Sequence, residues 1–169
     1  MKGLKDRIRP GLSVLFVGIN PGIRSAELGH HFAGYSNRFW KLLHDARLVP
    51  ETVDFRSDDR LPEWGFGITN LVARETPGMN TLSREECLAG AVVLRRKVRR
   101  YKPQIVALVG VSVYRWLFGA KGAVTLGLQR ETLEGSQVFV LPNPSGRNAN
   151  YSYAEMLTAF RALHSKMVG

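Results

Sequence analysis

Short uninterrupted runs of apolar residues alternate along this chain with stretches in which apolar residues recur every three or four positions. Runs of about four to eight apolar residues are typical of strands buried on both faces of a sheet, and the longer spacing is typical of helices. The pattern predicts strands at Ser13–Val17, Phe66–Val72, Ile105–Val109 and Gln137–Leu141. Because strands and helices alternate, we expect a three-layer α/β/α fold with a mostly parallel central sheet.

Two of the predicted helices begin at a capping box, in which a serine hydroxyl and a glutamate side chain three residues later each bind a free backbone N–H. Ser83–Glu86 opens a helix that continues to about Arg100, and Ser152–Glu155 opens the final helix. Shorter helices are predicted at Ser36–Leu48 and Ser112–Phe118. We interpret the segment between the first strand and residue 36 as a loop, and residues 51–63 as a loop or an irregular helix.

The composition is that of an ordinary globular protein. Of the 169 residues, 44% are hydrophobic and 22% are charged. No apolar run approaches the roughly 20 residues that cross a bilayer. We therefore expect a single domain over residues 1–169, with no membrane partner, located in the cytoplasm and associated with the nucleoid if the protein is bacterial. We also expect a monomer, since no apolar repeat or obvious pairing element is present.

The cysteine and histidine content argues against a metal centre. Cys87 is the only cysteine, which excludes an internal disulfide and the cysteine-ligated iron–sulfur and zinc-finger sites that need several thiolates. His30 and His31 are adjacent, but no third ligand follows at metal-binding spacing. We therefore expect neither a metal nor any other cofactor. Cys87 lies on an apolar helical stripe and is expected to be a packed core residue.

Basic residues outnumber acidic ones by 24 to 14, for a formal net charge of +10. In a chain this small, such an excess favours a polyanionic partner, with nucleic acid the first candidate and an acidic membrane surface the second. A basic surface that contacts only solvent is the remaining alternative. We expect that alternative for the densest basic run, which lies opposite the apolar stripe of its helix and comprises Arg95, Arg96, Lys97, Arg99, Arg100 and Lys102.

Two loops rich in proline and glycine follow predicted strands. The first strand leads into Gly18-Ile-Asn-Pro-Gly22 and the last into Pro142-Asn-Pro-Ser-Gly-Arg147. In open α/β sheets, ligands bind beyond the carboxyl ends of the strands, so these loops would meet at one edge if their strands are parallel neighbours. Proline stiffens a loop, and glycine lets the backbone approach a ligand closely. Taken singly, each loop could also be only a tight turn.

Four motifs, in the same order and with similar spacing, closely resemble the mismatch-specific uracil and thymine DNA glycosylases. They are Gly18–Gly22, His30-His-Phe-Ala-Gly34, Asn37-Arg-Phe-Trp40 and Asn143-Pro-Ser-Gly146, and the likeness continues at Gly67–Val72, Thr76–Gly78 and Tyr101–Gln104. The resemblance implies a uracil-DNA glycosylase-like fold. It also implies a monofunctional DNA repair enzyme that flips uracil, chiefly from G·U mismatches, and hydrolyses its N-glycosidic bond to leave an abasic site.

The resemblance gives Asn20 the role of holding the attacking water. An amide cannot act as a general base near neutral pH because it has donors and an acceptor but no accessible proton equilibrium, so positioning is the role left to it. The backbone N–H groups near Ile19 and Phe32 are the expected donors to the oxygens of the base. Gly18 and Gly22 would allow the close approach that these contacts need.

Other positions match residues that line the base pocket in this family. Phe32 matches the aromatic side chain on which the flipped base stacks, although a core role is the alternative. Ser25 matches the position that crowds the 5-methyl group of thymine in the bacterial uracil enzymes, which favours uracil over thymine as the substrate. His31 is expected to line the pocket or to be an exposed loop residue. Thr69 and Asn70 are expected at the pocket edge or in purely structural roles.

The resemblance assigns Asn143-Pro144-Ser145-Gly146 to the loop that enters the minor groove of DNA, with Ser145 on a phosphate. Arg147 stands where the bacterial enzymes carry a leucine wedge, and its long side chain with a planar head suits the gap left by a flipped base. The sequence departs from the bacterial pattern after Gly146, which leaves the preference for an opposite guanine open. Further phosphate contacts are expected from Arg24, Arg38 and Lys41.

Two other classes of protein remain as alternatives. A non-catalytic nucleic-acid-binding domain on the same fold would explain the charge equally well, but it gives no reason for Asn20 and Phe32 to occur together. An ordinary nucleotide-binding α/β protein is disfavoured because the first strand lacks a Gly-x-Gly-x-x-Gly fingerprint and a phosphate-loop lysine.

Overall fold

A central sheet of five strands organises the computed structural model, which describes residues 4–168. The strands are β1 (Val14–Gly18), β2 (Phe66–Asn70), β3 (Ile105–Val109), β4 (Gly127–Leu133) and β5 (Ser136–Leu141). The helices are α1 (Ile23–Leu28), α2 (Phe39–Asp45), α3 (Arg84–Tyr101), α4 (Val111–Phe118) and α5 (Tyr153–Val168). Two 3₁₀-helical segments lie at Phe55–Trp64 and Met79–Thr81.

The strands are arranged in the order β2-β1-β3-β5-β4, and all neighbours are parallel except β4, which pairs antiparallel with β5. One face of the sheet packs against α2, α5 and the longer 3₁₀ segment, and the other packs against α3 and α4. This arrangement confirms the predicted α/β fold with a mostly parallel sheet. It also confirms the predicted helical layers on both faces.

Strand β1 lies inside the sheet, which explains its uninterrupted apolar sequence. Its residues alternate between the two faces. Val14 and Phe16 point into the core formed with α2 and α5, and Leu15 and Val17 point into the core formed with α3 and α4. The continuous runs of β3 and β5 are buried on both faces in the same way.

The predicted capping boxes are both present. Ser83 Oγ accepts a hydrogen bond from the Glu86 N–H, and the Glu86 carboxylate accepts one from the Ser83 N–H. Ser152 and Glu155 make the same reciprocal pair at the start of α5. Cys87 is fully buried in the core beneath α3, as predicted. Within residues 4–168, no helix has the length and apolar character needed to cross a bilayer.

Three elements differ from the sequence prediction. Helix α1 has only six residues and no side-chain cap, so it carries none of the usual start signals. Helix α2 begins at Phe39 rather than at residue 36, because Asn37 Oδ1 accepts the Phe39 N–H at the helix start. Strand β4 was not predicted because it is a mostly exposed edge strand in which only Leu133 is buried. It joins β5 through Glu134-Gly135, both with positive φ, which is the requirement of a two-residue hairpin turn.

The basic run on α3 is partly engaged within the protein. Arg95 donates to the Leu117 carbonyl, and Lys97 Nζ lies 2.6 Å from Asp6 Oδ2. Arg99 pairs with Glu134 at the hairpin turn. These contacts fasten α3 to α4, to the N-terminal segment and to the β4–β5 turn. The run therefore has structural roles that were not predicted for a solvated face.

Candidate active site

The two proline- and glycine-rich loops lie at the same edge of the sheet. Strands β1 and β5 both run parallel to β3, so the loops that follow them emerge beyond the same carboxyl ends. The Arg38 N–H donates to the Pro144 carbonyl at 2.9 Å. Gly146 packs so closely on Ser36 that a Cβ at Gly146 would lie 2.8 Å from the Ser36 carbonyl oxygen. The loop after β5 is therefore held against the segment that leads into α2.

The side-chain amide of Asn20 is held in one orientation. Its Nδ2 donates to the Arg74 carbonyl at 2.9 Å and to Thr76 Oγ1 at 2.7 Å. A carbonyl can only accept a hydrogen bond, so the amide nitrogen must point towards Arg74. Thr76 is buried, and its hydroxyl donates in turn to the Gly78 carbonyl. Within residues 4–168 the Asn20 Oδ1 takes no hydrogen bond, and it is therefore the free acceptor of this side chain.

Phe32 lies beside Gly18 and Asn70. Its ring stacks on Phe39 with centroids 4.1 Å apart. A Cβ at Gly18 would lie 3.6 Å from Phe32 Cζ and 2.6 Å from Asn70 Oδ1. Because Gly18 has no side chain, the Phe32 ring and the Asn70 amide can both lie against its backbone. An aromatic ring and an amide are the groups that stack on a base and bind its polar edge.

The loop that carries Phe32 depends on a buried carboxylate that the sequence analysis missed. Asp58, in the longer 3₁₀ segment, is completely buried and accepts the His31 N–H at 2.8 Å. Its other oxygen lies 2.9 Å from His30 Nδ1 and 3.3 Å from Arg7 Nη2. Phe32 itself has a φ of +52°, a strained value for a non-glycine residue. Nothing in the polar stretch around Asp58 distinguishes it from neighbouring acidic residues.

His31 occupies a different place from the one expected. Its side chain is buried, and Nε2 lies 2.7 Å from the Lys5 carbonyl. Burial lowers the pKa of His31, against the opposing effect of the Lys5 carbonyl. The backbone carbonyl of His31 accepts from Trp40 Nε1. The imidazole thus anchors the loop to the N-terminal segment and is shielded from solvent.

Thr69 and Asn70 are on opposite faces of β2, because successive strand residues alternate. Asn70 Oδ1 lies against Gly18, beside the Phe32 ring. The Thr69 hydroxyl donates to Asp6 Oδ1 at 2.7 Å and accepts from Lys97 Nζ at 3.0 Å, on the face covered by α3. The structure therefore brings Asn70 to the site and gives Thr69 a structural position, which the two-residue period of a strand could have indicated.

Side chains of helix α1 hold the Phe32 loop through hydrogen bonds to the backbone of Ala33. Ser25 is buried, and its hydroxyl accepts the Ala33 N–H at 2.9 Å. Arg24 Nε donates to the Ala33 carbonyl at 2.8 Å, and Gly22 caps the start of the helix. The two backbone N–H groups expected to bind a base, those of Ile19 and Phe32, donate no hydrogen bond within residues 4–168.

The loop after β5 is stiffened by its own side chains. Asn143 Oδ1 accepts the Ser145 N–H at 2.9 Å, and Ser145 Oγ accepts the Arg147 N–H at 3.2 Å. Asn148 Nδ2 closes the loop by donating to the Asn143 carbonyl. Arg147 is exposed, and its guanidinium has no ion pair or hydrogen bond in the described part of the chain. Its head is therefore free to contact a ligand.

A metal site is not formed by the residues that the structure describes. Across residues 4–168, no group of three or more histidine, cysteine, aspartate or glutamate side chains is close enough together to hold an ion. His30 and Asp58 are paired with each other and with Arg7 rather than converging on an empty space.

Comparisons with known proteins identify the superfamily and the fold of the chain. Residues 6–164 match the Uracil DNA glycosylase superfamily. The fold is similar to that of a protein from Methanosarcina acetivorans, solved by solution NMR and described as a candidate uracil DNA glycosylase, with a TM-score of 0.63. The two chains share 17% identity over 96% of this chain and 98% of the other, a likeness that concerns the fold alone. The family match spans nearly the whole chain, which therefore belongs to the uracil DNA glycosylase superfamily.

Proposed function

We propose that this protein removes uracil from DNA by hydrolysing its N-glycosidic bond, with a water held by Asn20 Oδ1. The observation that carries the proposal is the fixed Asn20 amide. Its nitrogen is committed to the Arg74 carbonyl and to Thr76, which leaves the oxygen as the acceptor at the carboxyl edge of the sheet. A water that donates to Oδ1 keeps a lone pair for attack on the sugar carbon. As the C–O bond forms, the N-glycosidic bond breaks, uracil leaves with the bonding electron pair, and a proton of the water is released to solvent.

Asn20 cannot remove a proton from the water. Most of the rate acceleration must therefore come from positioning of the reacting groups and from stabilisation of the negative charge on the departing base. The flipped uracil would stack on Phe32, with Asn70 at its polar edge. The unpaired N–H groups of Ile19 and Phe32 would donate to its oxygens and stabilise the negative charge that develops on the leaving base. We therefore expect slow chemistry that favours bases that are good leaving groups.

A mismatch-specific role belongs to the same proposal. Extrusion of a base leaves a gap in the duplex, and the exposed guanidinium of Arg147 would fill it from the minor groove. The loop from Asn143 to Gly146 would position Arg147, and Ser145 would contact a phosphate. A G·U pair is less stable than a Watson–Crick pair, so extruding its uracil would cost less free energy than extruding a uracil paired with adenine.

Uracil is the proposed base rather than thymine. Ser25 Oγ is buried and held by the Ala33 N–H, so it cannot turn away easily from a group that enters beside it. A clash on the scale of one methyl group gives discrimination of only about 1–3 kcal/mol. Thymine would therefore be removed at about 10- to 200-fold lower kcat/KM, not excluded.

The first experiment uses three oligonucleotides that carry one uracil opposite guanine, opposite adenine, or unpaired. Alkali-induced strand cleavage after incubation measures base removal. We expect faster cleavage of the G·U substrate than of the A·U substrate. The absence of alkali-labile sites in all three substrates would refute the proposed activity, and DNA binding without cleavage would favour a non-catalytic DNA-binding domain.

The role of Asn20 is tested with Asn20→Ala and a matched control, Asn80→Ala, at an exposed position outside the site. Asn20→Ala should lose cleavage while it retains affinity for uracil-containing duplex. Asn80→Ala should keep both. Cleavage at the parental rate by Asn20→Ala would remove Asn20 from the mechanism.

A further inference from the structure

Beside the Phe32 loop, cationic and aromatic side chains alternate across the surface. The Arg24 guanidinium lies 3.8 Å from the centroid of the Tyr35 ring and 5.7 Å from that of Phe55. The Arg56 guanidinium lies 4.7 Å from the centroid of Phe55. Arg56, Phe55, Arg24 and Tyr35 therefore follow one another in a row, which we call the cation–aromatic row.

Three members of this row, Arg24, Phe55 and Arg56, contact other parts of the protein. Arg24 Nε donates to the Ala33 carbonyl at 2.8 Å, and Phe55 packs against the core beneath α2. Arg56 is held by Asp54 at 2.9 Å. Because the guanidinium of Arg24 is anchored and Tyr35 lies over it, one face of the Tyr35 ring has a rigid support.

Tyr35 itself is 90% exposed. An aromatic ring that buries so little contributes little to the stability of the fold, and neither the fold nor the proposed chemistry uses it. It lies in the loop that carries Phe32, close to the proposed pocket. A supported ring with one open face, flanked by cations, is the arrangement on which proteins stack unpaired bases.

We propose that the cation–aromatic row binds single-stranded DNA, with an unpaired base on the open face of Tyr35, so that the protein takes uracil from single strands as well as from G·U duplexes. The part of this proposal that concerns uracil removal rests on the proposed function. In a duplex, both faces of each base are covered by its neighbours, so only an unpaired base can stack on Tyr35. Arg24 and Arg56 would lie along the phosphates of that strand.

The test measures binding of labelled oligothymidine, as a single strand and as a duplex with oligoadenosine, by fluorescence anisotropy. The parent and every variant in this test carry Asn20→Ala, which is expected to abolish base removal, so the result does not depend on slow removal of thymine. Tyr35→Leu keeps apolar area but lacks an aromatic face, and it should weaken single-strand binding by about fivefold or more, with a smaller change for the duplex. Tyr35→Phe should keep the parental ratio of the two affinities.

The support from Arg24 is tested by Arg24→Lys, which keeps the charge but loses the planar group. It should also lower the ratio of single-strand to duplex affinity. The matched control is Arg130→Ala, an exposed cation on β4, which should leave that ratio unchanged.

A Tm for Tyr35→Leu equal to that of the parent, measured by thermal unfolding, shows that the fold is intact. Single-strand affinity of Tyr35→Leu equal to that of the parent, or equal losses for single strand and duplex, would overturn the proposal. A failed uracil assay together with the predicted loss in Tyr35→Leu would refute the glycosylase activity and leave the single-strand site standing. Uracil removal without a loss of single-strand affinity in Tyr35→Leu would support the glycosylase activity and refute the single-strand site.

Discussion

Asn20 has a precise orientation because other residues satisfy its amide nitrogen. Thr76 contributes twice, since its hydroxyl accepts from Asn20 Nδ2 and its N–H donates to the Pro21 carbonyl at 3.2 Å. Thr76 is thus a positioning residue for the proposed catalytic amide. Its motif, Thr76-Pro-Gly78, was noticed in the sequence, but its contact with Asn20 spans 56 residues and no local pattern reports such a contact.

Thr76→Val should lower the kcat of uracil removal by about tenfold, because the loss of one hydrogen bond of about 1.4 kcal/mol lets the Asn20 amide rotate. The KM should change much less, since the Thr76 hydroxyl contacts Asn20 and Gly78 and none of the residues proposed to bind the base. Thr76→Ser, which retains the hydroxyl, should restore kcat. Single-turnover kinetics on a G·U duplex measure both constants, and a change confined to KM would contradict this positioning role.

Asp58→Ala should destabilise the protein by about 3 kcal/mol, because it leaves the buried His31 N–H and the Arg7 guanidinium without their carboxylate. Asp58→Asn keeps an acceptor for the His31 N–H and should cost less. Urea denaturation measures both free energies of unfolding. Asp59→Ala, at the exposed neighbouring position, is the control and should be within about 0.5 kcal/mol of the parent.

At the scale of elements, the start of α3 is connected to the proposed catalytic loop. Glu86 caps the helix and also binds Arg74 through both of its oxygens, at 2.7 and 2.9 Å. The carbonyl of Arg74 holds Asn20. The Arg74 guanidinium, followed by the Ser83 N–H, lowers the pKa of Glu86 from 4.5 to about 2. A capping box therefore fixes a segment of the site as well as a helix end.

This lowered pKa predicts a stability contribution that depends on pH. A carboxyl group with a lower pKa in the folded state stabilises the fold fully above its unfolded pKa, and the contribution is lost as pH falls to the folded pKa. For Glu86 that range runs from 4.5 down to about 2. Glu86→Gln should therefore be less stable than the parent at neutral pH, and the difference should shrink across this range.

Urea midpoints of the parent and of Glu86→Gln, measured at intervals from neutral pH downwards, test this prediction. Glutamine can still cap the helix, so the substitution isolates the effect of the charge. For Arg74→Gln, the loss of stability relative to the parent should shrink over the same pH range. The double variant should be no less stable than the less stable of the two single variants. A stability difference that stays constant through acid pH would contradict the assignment.

The elements that sequence reasoning found are those whose signal is local. The capping boxes of α3 and α5 and the buried runs of β1 and β3 each carry their pattern in a few consecutive residues. Strand β4 carries no such pattern because an exposed edge strand buries almost nothing. Helix α1 has six residues, too few for a periodic stripe, and it is stabilised by contacts with the Phe32 loop.

At the scale of the whole molecule, the net charge is +10, but some of the basic side chains bind other parts of the protein. On α3, Arg95, Lys97 and Arg99 are engaged with other parts of the protein. Arg24 and Arg38 lie at the carboxyl edge of the sheet, on either side of the Phe32 loop in the sequence. We therefore expect the phosphate contacts to come from this edge rather than from the helix with the densest charge.

The double variant Arg24→Ala/Arg38→Ala should lower DNA affinity and reduce the slope of log affinity against log salt concentration by about 2. Arg96→Ala/Arg100→Ala, which removes the same charge from the exposed face of α3, should leave the slope nearly unchanged. Anisotropy titrations of a duplex at several salt concentrations measure the slopes. Equal slopes for the two double variants would show that charge acts without regard to position.

By itself, the sequence determined the fold class, most of the strands, the capped helices and the loops that carry Asn20 and Arg147, because each is specified by a short pattern of residue types. Only the tertiary structure decided which side chains reach the site. Thr69 faces α3 and His31 is buried on Lys5, whereas Asp58 and Thr76 hold the loops that face the proposed substrate. These roles come from hydrogen bonds between residues far apart in the chain, and such partners are set by packing, which no short pattern records.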